Sequence, residues 1–238
     1  MAIGTPTLLG SVGGTTSVSS KTFTTVAAIP AGALSVILVN YYNSGASSVA
    51  VTSVSDGTNT YTQAVFISQG SSTPSAGSLY YCNNCLAVGS GATVTVTWAG
   101  NTAGQAIIGA VVTGIASSSS LDKTASAATT TNTPTVSTGT LSVSNEIVFG
   151  LVSGYNYTAS TEDATFTNIA NIYPNQLIGT LGYKIVSSTG SVTYSPILVG
   201  GAIYTPIAVA TFQGISYYPI KRTRNFIEKR RGFYVNNL

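Results

Sequence analysis

The run Thr93-Val94-Thr95-Val96-Thr97-Trp98 alternates polar and apolar residues without a break. Successive side chains of a strand point to opposite faces, so Val94, Val96 and Trp98 share one face and the three threonines the other. No segment shows sustained helical spacing, whereas strand signals recur along the whole chain. Leu34-Ser35-Val36-Ile37-Leu38-Val39 is apolar on both faces, as a strand buried between two layers must be. Ala106–Val112 and Ile207–Phe212 read the same way. Turn formers separate these runs: Ser55-Asp56-Gly57-Thr58-Asn59, Gly70 to Gly77, Gly89-Ser90-Gly91 and Gly200-Gly201. Short strands at such spacing predict an all-β fold, an antiparallel β-sandwich of jelly-roll or Ig-like type.

Four short segments recur in order at nearly constant offset. Thr60-Tyr61-Thr62 matches Thr165-Phe166-Thr167, and Ser78-Leu79-Tyr80-Tyr81 matches Thr180-Leu181-Gly182-Tyr183. Thr93-Val94-Thr95-Val96 matches Ser191-Val192-Thr193-Tyr194, and Gly114-Ile115-Ala116 matches Gly214-Ile215-Ser216. The expected organisation is therefore an extended segment and first strand at 1–32, then a sandwich at 33–216. That sandwich is built from two related halves, 33–116 and 144–216, sharing one core, with the Ser/Thr/Ala-rich stretch Ser117–Thr140 as the joint. An arm at 217–238 follows.

Charge separates the arm from the rest. Only 6% of the 238 residues are charged, against roughly 25% in ordinary soluble domains. Residues 221–238 nevertheless carry Lys221, Arg222, Arg224, Lys229, Arg230 and Arg231 against Glu228, a net charge of +5. The 220 residues before them hold three lysines and five acids, a net charge of −2. Phe226, Ile227, Phe233 and Tyr234 interleave with the cations. Cations with aromatic anchors mark a segment that docks on an acidic protein surface. Nucleic acid is the weaker match, because the body offers no basic groove to extend the contact. A body this close to neutrality has little repulsion between copies, which favours a homo-oligomer.

The chemistry available is narrow. Without histidine there is no Ser-His-Asp or Cys-His site and no ordinary zinc site. Glu162 and Asp163 are adjacent, and neighbours on a strand point apart, so they do not form a facing glycosidase pair. Cys82-Asn83-Asn84-Cys85 lacks the second ligand pair of a zinc site and the helix of a thioredoxin-like one, and reads as two small strand or turn residues, with a strained local disulfide as the alternative. Asp56-Gly57 reads as a hairpin turn rather than a calcium loop. No catalytic residue, metal ligand or cofactor is expected. Among the 14 tyrosines, Tyr155-Asn156-Tyr157 is expected in an exposed contact loop. No stretch reaches the roughly 18–20 apolar residues of a membrane helix, and Met1–Pro6 does not resemble a secretory signal, so assembly in the cytoplasm is expected.

The runs Ser53–Thr62, Leu79–Asn84 with Val94–Thr97, Gly114-Ile115-Ala116 and Leu121–Ser126 resemble a β-sandwich module of tailed-bacteriophage virion proteins. Over roughly 33–216, this resemblance implies a structural or adhesive role. Combined with the basic arm, it leads to the expectation of a non-enzymatic capsid decoration protein. Its partners would be the major capsid protein or another virion protein, and sister copies, with a trimer at a local threefold axis. The N-terminal segment Ala2–Val12 would add a second attachment. The alternative within the same resemblance is a head or tail fibre module that binds host glycan.

Overall fold

The computed structural model describes residues 2–43, 49–70, 75–174 and 176–215. Among them the chain forms strands only. The first eight are β1 (Thr7–Gly14), β2 (Val18–Thr24), β3 (Leu34–Tyr42), β4 (Val51–Ser55), β5 (Thr62–Gln69), β6 (Ser75–Cys82), β7 (Thr93–Thr102) and β8 (Gly104–Val112). The rest are β9 (Leu121–Thr129), β10 (Val136–Ser137), β11 (Glu146–Thr161), β12 (Thr167–Ile172), β13 (Leu177–Val186), β14 (Thr193–Tyr194) and β15 (Ile197–Gln213). All pairings between them are antiparallel.

The pairing is nested. β1 pairs with β8, β2 with β7 and β3 with β6, while the bridge Ser55↔Thr60 ties β4 to the entry of β5. A long hairpin rolled over on itself gives this pattern, which is that of a jelly roll. The result is a five-stranded sheet, β1-β8-β3-β6-β5, covered by a three-stranded sheet, β2-β7-β4. The second part of the chain nests likewise, β9 with β15, β10 with β14 and β11 with β13. Its five-stranded sheet, read β9-β15-β11-β13-β12, follows the order of the first. The matched segments Thr60–Thr62 and Thr165–Thr167 enter β5 and β12, which hold the same place in the two orders.

The two large sheets lie face to face, with β1 against β12, β8 against β13, β3 against β11, β6 against β15 and β5 against β9. The first sheet's edge thus meets the counterpart of its own opposite edge. That is the geometry of an isologous, two-fold interface inside one chain. The period of two divides the side chains between layers. Leu34, Val36 and Leu38 join Ile147, Phe149, Leu151, Ala208, Ala210 and Phe212 in the central core. Ile37, Val39 and Tyr41 turn the other way, onto Val94, Val96 and Trp98 of the outer sheet. Val148, Val152, Ile207 and Val209 face a third core with Val192 and Tyr194. An outer layer flanks the central core on each side.

Each unit starts earlier than its apolar runs suggest. Residues 1–32 supply β1 and β2, and the supposed joint 117–140 supplies β9 and β10. β9 is an edge strand, so small Ala125 and Ala127 suffice to cover β15.

Candidate functional site: the pole at Ile3 and Ile215

β3 and β11 start, and β6, β8, β13 and β15 end, at one pole of the molecule, because their registers pair Leu34 with Val112, Ser35 with Cys82, and Glu146 with both Val186 and Gln213. The described chain also begins and ends there. The Gly4 amide donates to the Thr113 carbonyl at 2.9 Å, and Ile3 is buried in the central core. Gly114 takes φ +83 with the Ala2 carbonyl pressed where a Cβ would stand, which only glycine permits without strain. Ile115 bridges to Gly214, and the Ile215 amide donates to the Gly114 carbonyl at 3.0 Å. An open cavity of about 410 Å³ lies at this pole, lined by Gly32, Asn84, Ile115, Ala116, Ser117 and Ile215.

The expected arm residues Lys221, Arg222, Arg224, Phe226, Ile227, Lys229, Arg230, Arg231, Phe233 and Tyr234 lie outside the described residues. The N-terminal segment is committed elsewhere. Leu9 is fully buried and Thr7–Gly14 pairs with β8, so most of Ala2–Val12 is built into the body.

The body's five acids are tied up by the body itself. Asp56 accepts from the Thr58 and Asn59 amides, the Asn59 side chain and the Tyr61 hydroxyl. Burial would raise its carboxyl, but these donors outweigh it and hold Asp56 below the usual range. The turn reading therefore stands, with its oxygens already occupied. Asp122 accepts from the Ser142 amide at 2.8 Å and lies 3.4 Å from the Lys123 ammonium. Glu146 is completely buried, accepts from the Val143 amide, and leaves Oε2 without a conventional partner beside Asp122. Burial first, then the neighbouring Asp122, pushes the Glu146 carboxyl up, while the bonds from Ser142 hold Asp122 low.

A similar division operates farther out. Glu162 packs on Gly182 beside the Tyr194 ring, and burial raises its carboxyl. Burial would also raise Asp163, but bonds from Thr165 and the Ser195 amide keep it low. Lys184 sits 5.9 Å over the Phe166 ring. Among the described residues, no group of three or more His, Cys, Asp or Glu is placed to hold a metal ion.

Tyr155, Asn156 and Tyr157 belong to β11, not to an exposed loop. Tyr157 is completely buried, its hydroxyl bonded to Thr205 Oγ1 and the Thr131 carbonyl. Tyr155 stacks on Tyr42 of the other unit, centroids 4.7 Å apart. Asn156, at φ +71, marks a register shift between β11 and β15 rather than a chain reversal, and its amide donates to the Gly201 carbonyl. Sequence reasoning also missed the Asp122–Glu146 pair. The available signal was an acid directly ahead of the apolar run Ile147-Val148-Phe149. Comparison with protein-family models, curated proteins and solved structures returned no match.

Proposed function

We propose that this chain is a non-enzymatic virion structural protein: a displayed β-sandwich body that its basic C-terminal segment attaches to a capsid. The observation that carries the reading is the charge contrast along the sequence: residues 221–238 carry +5, with Phe226, Ile227, Phe233 and Tyr234 among the cations, after 220 residues with a net charge of −2. The body adds little charge of its own, because its 220 residues hold only three lysines and five acids. Attachment would then fall to the segment's six cations and its aromatic anchors, on an acidic surface between capsid subunits. Jelly rolls recur in viral capsid and lectin domains, a fold-level analogy that agrees with this role.

Transplantation tests the reading. Residues 216–238, fused to an unrelated monomeric fluorescent protein, should confer saturable binding to undecorated heads of the parent virus. That binding should weaken as salt rises, because exposed charge pairs are screened. A fusion that ignores heads while binding free DNA would replace capsid docking with nucleic-acid binding.

A further inference from the structure

We propose that Cys82 and Cys85 close into an intramolecular disulfide when the folded protein meets a peroxide, fixing the wall of the cavity at the Ile215 pole. β6 ends at Cys82, opposite Ser35, and the chain bulges through Asn84, at φ +53, before it resumes pairing with the segment ahead of β3. The far side of the bulge is anchored. The Cys85 amide donates to the Ala33 carbonyl at 2.9 Å, and the Gly32 amide donates to the Cys85 carbonyl at 2.8 Å. The Cys85 thiol reaches the Cys82 carbonyl at 3.0 Å, and both side chains enter the same apolar core. Cys82 lies opposite Ser35 and Cys85 is bonded to Ala33, so the two cysteines span about the two-residue rise of a strand, roughly 6.6 Å, within the roughly 4.4–6.8 Å that a disulfide bridges between Cα atoms.

The two sulfurs are not equivalent. A hydrogen bond from Cys85 lowers the Cys82 thiol against the effect of burial, whereas that bond and burial both hold Cys85 high. Cys82 is also the more accessible, at 9% against 2%. Cys82 is therefore the attacking sulfur and Cys85 the resolving one. The Cys82 thiolate attacks one peroxide oxygen, the O–O bond breaks, and the departing hydroxide takes a proton to become water. The Cys85 sulfur then attacks the Cys82 sulfenic acid. The S–O bond breaks and a second water leaves with the Cys85 proton. Two thiols are oxidised to one disulfide as one peroxide is reduced to two waters. Hydrogen peroxide is small enough to enter where bulkier disulfide oxidants are excluded.

The consequence falls on Asn84, which lines that cavity with Gly32, Ile115 and Ile215. With the bond closed, this part of the wall is joined covalently to the end of β6.

The test treats full-length protein with hydrogen peroxide, then denatures it, alkylates it and measures intact mass. The expected product has lost two hydrogens, takes up no alkylating reagent, yields one peptide linking Cys82 to Cys85, and melts above the reduced form. Cys82→Ala/Cys85→Ala, which keeps the site apolar, should melt at one temperature with or without peroxide. Recovery of two alkylated thiols, or of sulfinic acids with no crosslink, would overturn the proposal. A crosslink only between copies would overturn it equally.

Discussion

At the level of single residues, buried carboxyls give this body a pH response with two signs. Glu146 and Glu162 titrate above their ordinary range in the folded protein. Their contribution to stability is complete below the unfolded pKa of about 4.3 and fades as pH rises through the folded value. Asp56, Asp122 and Asp163 are lowered. Theirs is present above about 3.9 and is lost as pH falls through the folded values. Glu146→Gln keeps the shape and cannot ionise. Its Tm, relative to the parent, should therefore climb as pH rises above the unfolded value of about 4.3 and level off once the folded value is passed. A difference independent of pH would mean that Glu146 titrates alike in the folded and unfolded chain. At Tyr157 the hydroxyl has two internal partners, so Tyr157→Phe should cost about 1–2 kcal/mol in denaturant melts. A cost near zero would place that side chain in solvent, as the loop reading required.

Strands and sheets explain which parts of the fold the sequence disclosed. The runs at 34–39, 106–112 and 207–212 are central strands covered on both faces, so their burial is written as unbroken hydrophobicity. Thr93–Trp98 has one wet face, and it alternates. β9 was hidden because Ala, Thr and Ser need only small volumes at an edge, and β10 and β14 are too short to show a period. Tyr155–Tyr157 looked like a loop because Gly154 and Asn156 punctuate it, whereas β15 holds the strand on through two register shifts. Irregularity also guards the edges. Register breaks fall at Leu8/Gly10, Gln63/Val65, Asn168/Ala170 and Ala210/Phe212, in the pairings of all four edge strands of the large sheets. Of the inner pairings, β3–β6, β3–β8 and β11–β13 have none, and β11–β15 has the two beside Tyr157. Bulged edges resist strand addition, so sister copies are expected to meet through faces rather than by extending a sheet. Between the large sheets, close approach depends on Gly77, where a Cβ would stand 2.9 Å from Asn40 Oδ1 and 3.1 Å from Ser153 Cβ. Gly77→Val should lower stability by about 1–3 kcal/mol through overpacking, and a neutral result in thermal melts would show that the sheets can part there.

For the whole molecule, the two jelly rolls share a buried interface, with Phe212 packed on Tyr81 of one unit and Phe149 of the other. Phe212→Ala should cost about 3–5 kcal/mol and lower a single cooperative calorimetric transition, whereas two separate transitions in the parent protein would show that the units unfold independently. The charge contrast bears on function, since a +5 segment follows a body with only three lysines and five acids. The amount of protein that co-sediments with undecorated heads, for the full chain and for a form ending at Ile215, tests that reading most directly. The expected result is that the full chain saturates the heads at high copy number while the shortened form, still folded by calorimetry, stays in the supernatant. Equal binding by both forms would move attachment from the basic segment to the body, and binding by neither would contradict capsid attachment itself.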